Sequence, residues 1–185
     1  MDSSDGSFTA FVGERRLAHG SLLDIVSAAH ALRDQTVVIF EDATGGRVEL
    51  DLRGPLDEAL ARAAPPPGPK SKPVRGRPKL GVTAREVTLL PRHWDWLATQ
   101  PGGASAALRR LVDEARRLNS GGDATRQARE AAYRVMTLLG GDLPNYEDAT
   151  RALFAGDAAR LTALTAQWPR DVQDYVAGFT ARISP

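Results

Sequence analysis

Residues 83–118 read TAREVTLLPRHWDWLATQPGGASAALRRLVDEARRL. Apolar and polar side chains alternate over residues 83–90, which predicts a half-buried strand. Pro91 is expected to begin a helix that runs to about residue 100, because its missing N–H would be unpaired in the first turn anyway. Pro101-Gly102-Gly103 ends that helix, and a second helix follows with apolar residues at three- and four-residue spacing. The order is therefore strand, helix, helix.

The predicted strand cannot stand alone, because a single strand leaves its backbone groups unpaired. Two chains that pair these strands antiparallel would form a ribbon, and the sequence therefore predicts a homodimer. The outer face of such a ribbon fits the DNA major groove. Val87 and Leu89 would point inward, and Glu86 and Thr88 outward. A slip by one residue would present Arg85 instead and would expose the inner face.

Residues 84–117 resemble the ribbon-helix-helix family of bacterial repressors in length and in the order of their elements. The similarity includes the prolyl helix start, Trp96-Leu97, the glycine turn and Leu108-Arg109-Arg110-Leu111. The resemblance implies that Ala84, Glu86 and Thr88 face base edges. It also implies that Gly103, Ala104 and Ser105 offer amides to a phosphate, which helix N-termini favour.

A basic arm, residues 70–79, precedes this segment and contains Arg75-Gly76-Arg77-Pro78-Lys79. Glycine lets the backbone approach the floor of a groove, and proline keeps the chain extended. Arg75 and Arg77 can then point into a narrow A·T-rich minor groove. Residues 75–78 resemble the AT-hook core. The remaining cations, which would lie near phosphates, are Lys70, Lys72 and Lys79.

Charge is divided unevenly along the 185 residues, although the net charge is only +1. Residues 1–69 carry a net charge of −5, residues 70–120 of +7 and residues 121–185 of −1. Basic charge gathered in one segment is typical of a region that binds a polyanion. The partner predicted from the charge and the two motifs is DNA, with an A/T-rich minor groove beside a major groove.

The flanking segments predict an α+β fold. Residues 1–63 form an acidic unit with the order ββαββ, in which one helix covers one face of a sheet. Residues 64–79 form a Pro-rich basic linker, residues 80–119 the ribbon-helix-helix-like unit, and residues 120–185 a helical bundle. The predicted elements of the first unit are strands over 8–12, 15–18, 37–40 and 48–52, a helix opened by Ser21 with Asp24 in a capping box, and a short helix over 55–63.

Catalytic and metal chemistry is not predicted. The chain has no cysteine, and the three histidines, His19, His30 and His93, lie far apart in the sequence without metal-ligand spacing. No cofactor is therefore expected. The absence of cysteine fits a reducing cytoplasm, and we expect no signal peptide and no membrane-spanning segment.

The whole chain also resembles a bacterial family catalogued as domain of unknown function 2239. That resemblance implies no activity, because none is assigned to the family. The stretches that carry it are Thr9–Glu14, Asp51–Gly54, Arg75–Arg117, Tyr146–Asp157 and Trp168-Pro169.

The leading hypothesis is a cytoplasmic, homodimeric DNA-binding protein that regulates transcription and associates with the nucleoid when bound. An alternative is a protein-interaction adaptor in which the basic linker has no binding role. A third hypothesis is an enzyme with an unrecognised site in the N-terminal unit, which a deep polar pocket between that sheet and the C-terminal helices would support.

The basic arm gives a first testable prediction. The double substitution Arg75→Ala/Arg77→Ala should weaken binding to A/T-rich duplexes and flatten its salt dependence by about one unit of slope per lost phosphate contact. Fluorescence anisotropy across a salt series measures both. Arg126→Ala/Arg160→Ala removes the same charge outside the basic segment and should leave binding unchanged. Equal binding by the arm variant and the wild type would contradict a role for the arm.

Overall fold

The structure is a computed structural model that describes residues 6–32, 34–64 and 82–183. Two compact units can be distinguished. The first combines Met1–Pro66 with Gly122–Pro185, and the second is Pro67–Gly121. The N-terminal α+β part and the C-terminal helices, which the sequence suggested as two units, thus belong to one. The basic arm lies outside the described residues.

The described residues have a mixed α+β fold with a four-stranded antiparallel sheet and seven helices. None of these helices combines the length and the apolar composition needed to cross a bilayer. In chain order the elements are β1 Phe8–Val12, β2 Arg15–Gly20, α1 Leu22–His30, β3 Val37–Glu41, β4 Gly46–Val48, α2 Leu56–Ala63, α3 Pro91–Ala98, α4 Gly103–Gly140, α5 Tyr146–Ala155, α6 Ala158–Leu164 and α7 Arg170–Thr180.

The sheet has the strand order β2-β1-β3-β4 and is covered on both faces. Alternate residues of a strand point to opposite faces. Ala10 and Ile39 accordingly pack with Ile25 of α1 on one face, whereas Phe11 and Phe40 belong to a core that contains the C-terminal helices on the other. The sequence predicted that a helix covers one face of the sheet. The other face is covered by helices more than 80 residues further along the chain.

Helix α1 begins as the sequence predicted. The Ser21 hydroxyl accepts a hydrogen bond from the Asp24 backbone N–H, and the Asp24 carboxylate accepts from the Ser21 backbone N–H at 2.9 Å. Such a capping box pairs two donors that a helix start would otherwise leave free. Ile25, Val26 and Ala29 follow on the buried face.

An aromatic cluster joins the sheet to α7. The Tyr175 ring centroid lies 5.3 Å from that of Phe11 and 5.8 Å from that of Phe40. Phe179, one turn later in α7, packs edge-on against Tyr175 at 5.1 Å. Aromatic pairs at these separations contribute about 0.5–1.5 kcal/mol beyond the apolar area they bury.

Two predicted boundaries are wrong. The strand predicted over 48–52 ends at Val48 in β4. The second helix of the 80–119 unit does not stop near residue 118, because α4 continues to Gly140. Asp123 is therefore inside α4, where its carboxylate pairs with Arg126 at 2.6 Å. Each helical glycine of Gly121-Gly122 costs about 1 kcal/mol relative to alanine, and the buried residues further along α4, Ala131, Ala132, Val135 and Met136, offset that cost.

The turn between β3 and β4 lies directly against α4. Gly45 has a φ of +62°, and a Cβ built there would lie 2.5 Å from the carbonyl oxygen of Ala131. The neighbouring Thr44 carbonyl accepts a hydrogen bond from the Arg134 guanidinium at 2.8 Å. Both the backbone conformation and the close approach require glycine at this position.

Substitution at this turn tests the contact between sheet and helix. Gly13 also has a positive φ, of +57°, but a Cβ there meets nothing within 4 Å. Gly13→Ala should cost about 1 kcal/mol for the left-handed conformation alone, and Gly45→Ala about 1–3 kcal/mol more for the clash. Urea unfolding of the two variants measures the difference. Equal losses of stability would contradict the close contact.

Candidate nucleic-acid interface

The segment predicted to read DNA is exposed in the single chain. Residues 82–90 form neither a helix nor a paired strand, so the strand predicted over 83–90 is not formed within one chain. The described residues of its own unit contain no other strand with which this segment could pair its backbone groups. Leu89 is half-buried, and the other residues from 82 to 90 are exposed.

The residues expected to face base edges, Ala84, Glu86 and Thr88, are on this segment and are exposed. Arg85, which a slip by one residue would present instead, is exposed as well. No helix of the described residues covers them, and their side chains are available to a ligand. The other predicted residues of the basic arm lie outside the described residues; they are Lys72, Arg75, Gly76, Arg77, Pro78 and Lys79.

Helix α3 begins at Pro91, as predicted. Leu90 before it is extended, with φ −64° and ψ 149°, the conformation that a following proline favours. Leu97 is the buried residue of this helix. Trp94 and Trp96 are 41% and 50% exposed, so neither indole is a core side chain of the single chain.

The turn that leads into α4 is built from glycine. Gly102 and Gly103 have φ values of +82° and +74°, which side chains with a Cβ rarely adopt. The Gly103 N–H donates to the Gln100 carbonyl at 3.0 Å, so this amide is not free for the predicted phosphate contact. The Ser105 hydroxyl is exposed and accepts a hydrogen bond from Arg109 at 3.0 Å.

The second unit buries little of itself. Over residues 82–121, two residues are buried, Leu97 and Ala107. Large apolar side chains are instead exposed along the whole segment. They are Val82, Val87, Leu90, Trp94, Trp96, Leu111, Val112 and Leu118. A surface of this kind is typical of a protein interface.

Part of this surface forms an apolar groove of about 300 Å³. It lies between the end of the exposed segment, α3 and the first turns of α4. Its lining residues are Leu89, His93, Trp96, Leu97, Leu108 and Leu111. Leu89 is the C-terminal residue of the predicted inner face, so the groove and that face share one apolar surface.

The described arginines of this unit are not paired with acidic groups. Residues 82–121 contain six arginines, and in this part of the structure none of them forms an ion pair with a described carboxylate. The first unit differs, because Arg53, Arg62 and Arg151 each pair with nearby acidic groups. Unpaired arginines keep their full charge for a polyanion.

Metal binding has no support in the described residues. Across 6–32, 34–64 and 82–183, no three histidine, aspartate or glutamate side chains come together as a metal site would require.

Comparison with known proteins identifies a family but no function. A family model described as "Uncharacterized protein conserved in bacteria (DUF2239)" matches residues 7–180. No curated protein and no solved structure matches the chain.

The two faces of the predicted strand can be tested by paired substitutions. Val87→Glu places a charge on the inner face and should convert a dimer into monomers, because the charge would be buried without a partner. Thr88→Glu places the same charge on the outer face and should leave the dimer intact. Size-exclusion chromatography with light scattering measures both masses. A dimer that survives Val87→Glu would contradict strand pairing in this register.

Proposed function

The chain belongs to the DUF2239 family, to which no activity is assigned, and we propose that it binds DNA as a homodimer and regulates transcription. Residues 82–121 supply the dimer interface and the major-groove face. The basic arm, residues 70–79, contacts an adjacent A/T-rich minor groove. The observation that carries the proposal is the poor burial of residues 82–121.

A segment this poorly buried needs a partner to become ordered. Fixing the backbone costs about 1–2 kcal/mol per residue, whereas burying one leucine side chain gains about 1.5–3 kcal/mol. Leu97 and Ala107 cannot offset the ordering of residues 82–102 and the first turns of α4. Covering the exposed apolar side chains would supply the missing burial.

A second copy of the chain meets this need with few assumptions. Residues 82–89 form no backbone hydrogen bond with the described residues and have an alternating pattern, and two such segments complement each other about a two-fold axis. Pairing them would bury Val87 and Leu89, and would extend the apolar groove across both chains. The outer residues, Glu86 and Thr88, would remain on the exposed face of the ribbon.

Charge favours DNA as the ligand of that face. Residues 70–120 carry a net charge of +7 in a chain whose other parts are acidic. The arginines of residues 82–121 have no acidic partners among the described residues, and the arm adds five cations without any acidic residue. A minor-groove arm beside a major-groove reader is an established arrangement in DNA-binding proteins.

A protein-interaction adaptor is the second candidate. Val112 and Leu118 favour it, since both are exposed on α4 beyond the apolar groove, at 55% and 72%. A partner helix lying along α4 would cover them. In that case the basic arm would only need to connect the two units.

The proposed function is tested with the full-length chain and a pool of random duplexes. Selection by the wild type should enrich a two-fold related site next to an A/T-rich stretch. Thr88→Glu should weaken binding to that site at least tenfold, because a lost base contact costs about 1–3 kcal/mol and both strands of the dimer are affected.

Thr162→Glu is the matched control, since Thr162 is exposed on α6 in the first unit. It adds the same charge in place of the same side chain and should bind as the wild type does. A dimer that binds no duplex at low salt would contradict DNA binding and favour the adaptor. Binding unchanged by Thr88→Glu would contradict the major-groove face.

A further inference from the structure

A polar pocket of about 300 Å³ lies between the sheet and α7 in the first unit. Residues of β1, β2 and α7 line it, together with Ser7, Asp42 and Arg182. We call it the Asp42 pocket. Its lining residues include Ser7, Arg16, His19, Asp42, Gly178 and Arg182.

The carboxylate of Asp42 is already well satisfied. It accepts hydrogen bonds from the Ser7 hydroxyl at 2.5 Å, from the Thr9 hydroxyl at 2.7 Å and from the Tyr175 phenol at 2.7 Å. Burial raises the pKa of Tyr175, and so does its hydrogen bond to Asp42, so the phenol keeps its proton and remains a donor. These hydrogen bonds occupy acceptor positions of the Asp42 carboxylate, which keeps its negative charge.

The neighbouring serine and histidine are not arranged as a nucleophile relay. The Ser7 hydroxyl oxygen and an Asp42 carboxylate oxygen both lie near the same His19 nitrogen, Nε2, at 3.0 and 3.4 Å. A relay needs the serine on one ring nitrogen and the carboxylate on the other. Ser7, His19 and Asp42 are therefore arranged to bind a ligand and not to activate the Ser7 hydroxyl.

The pocket lining contains two arginines, Arg16 and Arg182, and one carboxylate, that of Asp42, which has no arginine partner among the described residues. Arg182 donates to the backbone carbonyl of Asp42 at 3.0 Å and lies over the Phe179 ring at 4.6 Å. Within the described residues, neither Arg16 nor Arg182 forms an ion pair with a carboxylate side chain. Asp174, the other acidic lining residue, pairs with Arg170 at 3.0 Å.

A glycine in α7 lines the same pocket without a structural need for it. Glycine is less favourable than alanine inside a helix. Gly178 has no positive φ, and a Cβ built there meets nothing within 4 Å. The chain's own packing thus does not require the missing side chain, whereas a ligand in the pocket would use that space.

We propose that the Asp42 pocket binds a small organic anion. Its carboxylate or phosphate group pairs with the guanidinium groups of Arg16 and Arg182, and its remaining part lies against Gly178. Guanidinium groups suit both kinds of anion because they can donate two parallel hydrogen bonds. This inference does not depend on DNA binding.

The test is an NMR titration of the full-length chain with inorganic phosphate and, separately, with succinate. At least one probe should cause saturable shifts of the Gly178 and His19 backbone amides, and the one that binds more tightly identifies the preferred anion. Arg16→Gln should raise the dissociation constant at least tenfold. Gly178→Leu should abolish binding, because the added side chain fills the pocket.

Matched controls separate the pocket from general effects of charge and bulk. Arg160→Gln removes a cation outside the pocket, and Gly122→Leu adds the same bulk at another open helical glycine. Both should bind as the wild type does. Thermal unfolding checks that every variant is folded. If Gly178→Leu does not fold, Arg16→Gln alone provides the test of the pocket.

Three results would overturn the proposal. The first is that neither probe shows saturable binding. The second is that folded Gly178→Leu or Arg16→Gln binds with wild-type affinity. The third is that anion binding is lost only in Arg75→Ala/Arg77→Ala, which would place the anion on the basic arm. That result would not contradict the proposal that the arm binds DNA.

Discussion

The contact between the N-terminal sheet and the C-terminal helices is the constraint on which the rest of the chain depends. Phe11 and Phe40 contribute to the same core as Met136, Val176 and Phe179, so residues 6–64 and 122–183 must fold together. The intervening residues therefore leave this unit and return to it. A segment inserted in this way can keep a separate function, because the core of the host unit does not use its side chains.

The sequence predicted the local elements better than their packing. The strands that contain Phe11 and Phe40, the capping box of Ser21 and the helix start at Pro91 follow from short-range chemistry, and all are present. The packing of the C-terminal helices on the other face of the sheet depends on contacts between residues far apart in the sequence, which no local pattern specifies. One signal was available, since the uninterrupted apolar run over 37–40 is typical of a strand buried on both faces.

Helix α4 shows why tertiary contacts can override a local signal. Ser120-Gly121-Gly122 favours a break, and the predicted boundary between two units lies at 119/120. The glycines cost about 1 kcal/mol each, whereas burial of side chains such as Val135 and Met136 gains about 1.5–3 kcal/mol each. The balance favours the helix. Which glycine pair ends a helix is thus decided by what lies beyond it, and at Gly140-Gly141 the helix does end.

In the candidate interface, a local sequence pattern predicts a strand, but the described residues supply no tertiary contact that would form it. For residues 83–90 the alternating pattern is strong, yet none of the described strands pairs with this segment, and it is exposed. An alternating pattern that stays unpaired among the described residues points to a second molecule. If the partner is another copy, the outer face that carries Glu86 and Thr88 forms only when two chains meet. DNA affinity and self-association are then thermodynamically linked, because a ligand that binds only the dimer also stabilises it.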